Sequence, residues 1–167
     1  MKEIELTQGC KAIVDDEDYE LVSKFKWYPR RQNDVFYATR NNTKREIIKV
    51  RNMHRLILGM DSKSTKQVDH INGDGLDNRR KNLRVCSPSQ NQCNYPGRKL
   101  KRISKYKGVH FRIRYGKYKI WARWIAQIQK DRNKIMIGHF SSESDAAKAY
   151  NSVAKKLHGD FAYFNSI

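Results

Sequence analysis

Strict alternation of apolar and polar residues marks the second half of the chain. In KGVHFRIRY (107–115), Val109, Phe111 and Ile113 fall on one side and His110, Arg112 and Arg114 on the other. WARWIAQIQ (121–129) sets Ala122, Trp124, Ala126 and Ile128 against Arg123, Ile125, Gln127 and Gln129. NKIMIGHF (133–140) puts Ile135 and Ile137 inward, Lys134 and Met136 outward. A period of two predicts strands with one buried face. The period then changes: Ala146, Ala149, Tyr150, Val153, Ala154 and Leu157 recur at helical spacing. Ser142 with Asp145 gives that helix a capping-box-like start, and Gly159 a stop. Three strands packed on one helix explain residues 105–164, with Arg, Lys, Gln and His on the outer face.

The first half is less regular. Residues 1–60 read as a small β-rich region: a strand at KAIVDD (11–16), and a short helix at DYELVSKF (18–25) with Leu21, Val22 and Phe25 inward. DVFYATRN (34–41) and REIIKVRNMHRLIL (45–58) read as further strands, the second running into a helix. Residues 61–94 predict strand QVDHI (67–71), turn-rich loop NGDGLDN (72–78) and strand LRVC (83–86). A helix then starts with Ser87 as N-cap and Pro88 at its first position, so Asn91 sits in its first turns. YPGRKLKRIS (95–104) reads as a basic linker. The fold class is therefore α+β, with a unit at 1–94, a linker at 95–104 and a second unit at 105–164.

Charge points to the partner. The 167 residues carry a net charge of +18, and 38% hydrophobic content still supports folded cores. The charge is uneven: residues 1–20 hold seven acids against two Lys/Arg, whereas residues 78–130 hold sixteen Lys/Arg and no acid. A 53-residue window without a carboxylate predicts a surface facing a polyanion. Arg98, Lys99, Lys101 and Arg102 in the linker would track DNA. Cys10, Cys86 and Cys93 are odd in number and contain no CxxC pair. That argues against a zinc ribbon and a disulfide framework, and no zinc is expected. With no signal peptide or long apolar run, an intracellular, cytoplasmic protein without a membrane partner is expected.

Within that basic chain VDHINGDGLDN (68–78) invites a chemical reading. A one-metal nuclease needs a divalent cation beside the phosphate, ligands for it, a base for water and a group fixing that base. Asp supplies a hard anionic oxygen and Asn a neutral one, which suits Mg²⁺ or a similar cation such as Mn²⁺. A His can act as the base near neutral pH, its other ring nitrogen held by an amide or backbone carbonyl. Adjacent strand residues diverge, so Asp69 and His70 need a bend, which Asn72-Gly73 can supply.

Residues 53–94 resemble the HNH homing endonucleases of phages and mobile introns, which use the ββα-metal fold. The resemblance rests on MHRLI (53–57), VDHINGDGLDN (68–78), NLRV (82–85) and SQN (89–91), in order and spacing. It implies that Asp69 and Asn91 bind the metal, His70 is the general base and Asn82 orients His70. His54 and Arg55 match a recurrent upstream pair and would support the site. Where the family often has an aromatic residue before the helix, this chain has Val85-Cys86, a difference expected to affect packing.

YKGVHFR (106–112), WIAQI (124–128), IGHF (137–140), AAKAY (146–150) and FAYFN (161–165) resemble the plant ethylene-response-factor (APETALA-type) DNA-binding domain. That resemblance implies a sheet laid in the DNA major groove. By position, Lys107, His110, Arg112, Gln127, Gln129 and Lys134 would face DNA, joined by Arg114 and Arg123 on the polar side of the alternation. The family more often has Arg at the positions of Lys107, His110 and Lys134, so a different target sequence is expected.

Bland readings compete with these. An Asp-His pair alone is usually structural, and His139 and His158 read as structural. The sequence thus predicts a site-specific, metal-dependent HNH endonuclease acting on double-stranded DNA. It would be a monomer or weak homodimer, encoded by a phage or mobile element in a bacterial host. Its rivals are a DNA-binding regulator with an inactive HNH module and a basic RNA-binding protein.

Overall fold

Short amphipathic strands need partners, and the first is found at once. In the computed structural model, which describes residues 1–42, 49–95, 103–115, 117, 120–131 and 133–167, β1 (Lys2–Glu5) pairs antiparallel with β2 (Lys11–Val14). Ile4, Ala12 and Val14 point into the core, while Lys11 bridges Glu3 and Glu5 outside. Helix α1 (Asp16–Val22) follows, starting two residues before the position the sequence suggests. Asp18 in its first turn is buried because Arg80 grips both its oxygens, at 2.7 and 2.9 Å. β3 (Tyr28–Gln32) and β4 (Val35–Thr39) form a second hairpin. Asn33 and Asp34 both take positive φ there, as a tight two-residue hairpin turn demands. Neither β1 nor β3 stands out in the sequence pattern.

The stretch expected as a strand running into a helix resolves in part. Residues 43–48 lie outside the described set. Met53–Ile57 is helix α2, with Met53, His54, Leu56 and Ile57 buried. β5 (Gln67–His70) pairs antiparallel with β6 (Leu83–Cys86), and α3 (Pro88–Asn94) follows. Ser87 caps α3 reciprocally: its hydroxyl accepts from the Gln90 N–H, and its own N–H donates to the Gln90 side chain. Trp27, Met53, Val14 and Val22 centre the core of this unit, which spans Met1–Asn91.

The second compact unit spans Gln92–Ile167. Its sheet is β7 (Val109–Tyr115), β8 (Ile120–Lys130) and β9 (Asn133–Phe140), antiparallel with β8 in the middle. Helix α4 (Glu143–His158) packs on one face, Ala146 and Ala147 meeting Val109 and Ala126. The Ser142 hydroxyl accepts from the Asp145 N–H at 3.0 Å, and Gly159 ends the helix at φ 54°. Burial follows parity near the helix and fades beyond it: Val109 is buried, Phe111 half-buried against Trp124, and Ile113 exposed. Ile125 lies on the polar side by parity yet is 1% exposed.

Gly108 fixes the close approach of sheet and helix. It has φ +73°, and a Cβ there would lie 2.3 Å from the Tyr150 ring and 2.4 Å from the Gln127 carbonyl. Gly108→Ala is expected to cost this unit about 2–4 kcal/mol through overpacking and backbone strain. Denaturant unfolding followed by tryptophan fluorescence measures it, and an unshifted midpoint would contradict the packing described.

Candidate active site

The antiparallel register sets Asp69 opposite Arg84 and His70 opposite Leu83. Both Asp69 and His70 are 5% exposed. A buried carboxylate needs a counter-charge, and Arg84 supplies it: Nε and Nη2 donate to Asp69 Oδ2 at 2.8 and 2.5 Å. Asn91 reaches the same strand from α3, its Nδ2 donating to Gln67 Oε1 at 2.7 Å. Gln67 and Asp69 are two apart on one strand and share a face. The helix asparagine is thus drawn to the side of β5 that carries Asp69. With Nδ2 committed to Gln67, Oδ1 is the atom Asn91 can offer a cation.

His70 engages a different set of neighbours. Its ring lies 5.1 Å from that of His54 and 5.6 Å from that of Tyr37, and Nε2 lies 3.4 Å from Asn78 Oδ1. A turn begins directly behind it, where the Gly73 N–H donates to the His70 carbonyl and Gly73 has φ 78°. His54 comes from α2 and is 7% exposed; its Nδ1 finds no hydrogen-bond partner among the described residues. Tyr37 is held by the loop: at Gly75 a Cβ would lie 2.7 Å from its ring, so the loop can dock on β4 only with glycine there.

Two expected roles look different in place. Asn82 organises the loop: Oδ1 accepts from the Asn72 N–H at 3.0 Å, and Nδ2 donates to Asn72 Oδ1 and the Asp77 carbonyl at 3.0 and 2.8 Å. Arg55 donates to the carbonyls of Asp61, Ser64 and Lys66, tying down the segment before β5.

Burial sets the charge states. It pushes the His54 imidazole down to about 3, helped by His70 and Arg55. It also lowers His70, against the raising effect of the Asn78 contact and Asp69. Both rings are neutral at pH 7. The Cys86 thiol is pushed up to about 11 by burial and then by Asp69, so it stays protonated beside the site.

In the C-terminal unit the expected DNA face divides in two. Arg112, Arg114, Trp121, Arg123 and His139 surround Ile125 and line a groove of about 280 Å³. His110, Gln127, Gln129 and Lys134, with Lys107, line a larger one of about 590 Å³. The sheet register shifts between Ala126 and Gln127, between the two groups along β8. Neither lining contains an acid. Arg112 pairs directly with Arg123 across the strands, an unfavourable like-charge pair unless a polyanion covers it. Lys107, expected to face DNA, is half-buried: Nζ donates to the Cys93 carbonyl at 2.6 Å and lies over the Tyr163 ring. It sits in the turn before β7, where the backbone is pinned by Asn165. Arg98, Lys99, Lys101 and Arg102 lie outside the described residues.

The HNH endonuclease family pattern matches residues 52–93, the stretch from α2 to α3. An uncharacterized HNH endonuclease of Acanthamoeba polyphaga mimivirus is 31% identical over 161 residues, covering 96% of this chain and 77% of the relative. This chain belongs to the HNH endonuclease family. It is therefore an endonuclease with a DNA substrate, and HNH nucleases generally depend on a divalent metal. The chain is also 36% identical over 62 residues to dehydration-responsive element-binding protein 2D of Arabidopsis thaliana. It is 32% identical over 63 residues to dehydration-responsive element-binding protein 2E of Oryza sativa subsp. japonica. These matches cover 27% and 18% of those proteins. No solved structure matches the chain significantly. Among the described residues no helix is long and apolar enough to cross a membrane.

Sequence reasoning passed over Tyr37, Asn78 and Arg84. Arg84 had a local signal, a basic residue in a strand that pairs with the Asp69 strand. Asn78 lay inside the matched stretch 68–78 but without a role of its own, and Tyr37 had no signal, since a hairpin tyrosine becomes a site residue only through folding.

Proposed function

We propose that this HNH endonuclease is a site-specific, homing-type enzyme that hydrolyses phosphodiester bonds of double-stranded DNA with Mg²⁺ or a similar cation such as Mn²⁺. Asp69 and Asn91 hold the cation, one anionic and one neutral oxygen, a donor set that suits a hard ion. Among the described residues no group of three or more His, Cys, Asp and Glu could hold a metal. Water and substrate phosphate would therefore complete the ligand set. Bound there, a divalent cation polarises the scissile phosphate and stabilises the leaving 3′ oxygen. His70, kept neutral by burial, takes the proton of the attacking water. Arg84 holds Asp69 in place, and Asn82 acts on His70 through the loop it ties. The observation that carries this reading is the Asn91–Gln67 hydrogen bond, which draws the second oxygen donor to the strand face of Asp69.

The C-terminal unit grips and reads DNA. The matches to the two dehydration-responsive element-binding proteins fall, we infer, on its sheet and helix. Arg112, Arg114 and Arg123 suit phosphate or guanine, and Gln127 and Gln129 suit adenine, with His110 and Lys134 beside them. Each of Arg112→Ala and Arg123→Ala should reduce the salt slope of DNA binding by about one. An unchanged slope in titrations at several salt concentrations would remove these residues from the interface. One active site per chain makes nicking by a monomer or weak homodimer the simplest outcome. The viral relative supports a mobile-element origin; a phage as that element, and the cytoplasm of a bacterial host as the place of action, rest on the sequence resemblance alone.

Supercoiled plasmid carrying DNA from the gene's own neighbourhood, with and without Mg²⁺, tests the whole. Open circles only with metal are expected, and Asp69→Asn should slow their formation at least about 10²-fold. Cleavage that persists in a chelator, or an unimpaired Asp69→Asn enzyme, would remove the metal site.

A further inference from the structure

We propose that Arg30 binds a backbone phosphate next to the one that is cut, which makes the β3–β4 hairpin a DNA-contacting wall of the active site. This rests on the active-site reading given above. Arg30 lies directly opposite Tyr37 in the hairpin register, and residues directly opposite in an antiparallel pair share a face. From that face the Tyr37 ring meets the ring of His70 at 5.6 Å. Arg30 is therefore the cross-strand neighbour of a residue that touches His70. It stands one contact farther out than Tyr37, so the phosphate within its reach adjoins the scissile one.

Its charge singles it out. Arg30 is exposed, and among the described residues its side chain has no hydrogen bond, ion pair or ring contact. The other arginines of this unit are committed: Arg31 pairs with Asp34, Arg55 holds loop carbonyls, and Arg79, Arg80 and Arg84 hold Asp77, Asp18 and Asp69. Arg51 is also exposed, but it follows the opposite face: its neighbour Asn52 is bridged to Thr39, which shares the Tyr37 face. A guanidinium fork matches phosphate oxygens two at a time, and an unpaired one is the natural partner for them. The backbone beneath Arg30 is fixed. The turn at Asn33 and Asp34 closes the hairpin at φ 49° and 68°. The loop that follows His70 docks on β4 so closely that a Cβ at Gly75 would lie 2.4 Å from the Phe36 carbonyl oxygen. Hairpin and catalytic loop thus hold one geometry, and only the Arg30 side chain has to settle on the DNA.

The cut made by the full-length wild type with Mg²⁺ is mapped first, and duplexes then carry one neutral methylphosphonate at each position around it in turn. Wild type should lose about 10–100-fold in kcat/KM at a phosphate next to the cut, the weight of a charge-assisted hydrogen bond. Arg30→Gln should be slower by about that factor on unmodified DNA and lose nothing more at that position. Arg30→Lys keeps the charge without the fork, so it should keep part of the rate and stay sensitive there. Wild-type indifference to every neighbouring methylphosphonate would overturn the proposal without any variant, even if Arg30→Gln fails to fold. An Arg30→Gln enzyme that still pays the full penalty at every position would overturn it equally. If the wild type cuts nothing, the same duplexes are tested for binding in a chelator. A phosphate whose neutralisation weakens wild type but not Arg30→Gln would then keep the Arg30 contact and overturn the nuclease reading alone; no such phosphate would overturn both.

Discussion

His70→Ala is expected to slow DNA cleavage by about 10²–10⁴-fold, the usual weight of a general base, while leaving DNA affinity nearly intact. His70 is 5% exposed within the nuclease unit, and the basic grooves belong to the C-terminal unit. Chemistry and affinity should therefore separate cleanly. Burial lowers the His70 pKa from its ordinary 6.5. The base form then persists below pH 6.5, and kcat/KM should fall only as pH drops through the lowered value. Single-turnover cleavage across pH measures this. A fully active His70→Ala enzyme would end the role given to His70, and a rate already falling well above neutrality on acidification would show that another group limits it.

The nuclease unit should be unusually sensitive to mild acid because of His54. Its imidazole is held at about 3 against an ordinary 6.5, so the unfolded chain binds the proton first. Stability rises with pH wherever the unfolded state holds more protons. The contribution is fully present above pH 6.5 and is lost progressively as pH falls toward about 3. The complete loss is roughly 5 kcal/mol, a large part of the stability of an ordinary domain. His70, also lowered by burial, works in the same direction. Urea unfolding at neutral pH and at about pH 4 should show a marked drop in midpoint for the wild type. His54→Leu removes the titrating ring and the unpartnered Nδ1, so its midpoint should fall much less. Parallel curves for the two proteins would rule out His54 as the source.

Periodic pattern and the chemistry of element ends are legible in the residues alone. Alternation over 107–115, 121–129 and 133–140 and the helical spacing behind Ser142 appear in the fold as β7, β8, β9 and α4. Ser87-Pro88 starts α3 as its side chains dictate. Such features are legible because a strand's period, a cap or a turn is decided by residues within a few positions of one another. Residue chemistry drew attention to the Asp69-His70 pair, whereas the roles of Asp69, His70 and Asn91 came from the family resemblance.

Tertiary structure decided who touches whom. Arg84 holds Asp69 through a cross-strand pair, Tyr37 and His54 reach His70 from β4 and α2, and Asn78 reaches it while fastened to β2. Arg55 and Asn82, read as site residues, hydrogen-bond to loop segments. Lys107, read as a DNA contact, donates to Cys93, and Ile125 is buried on a face that parity makes polar. Each of these depends on a partner up to dozens of residues away. A hydrogen bond or a burial is a property of two chain segments brought together, and no pattern within either segment alone specifies which partner it will meet.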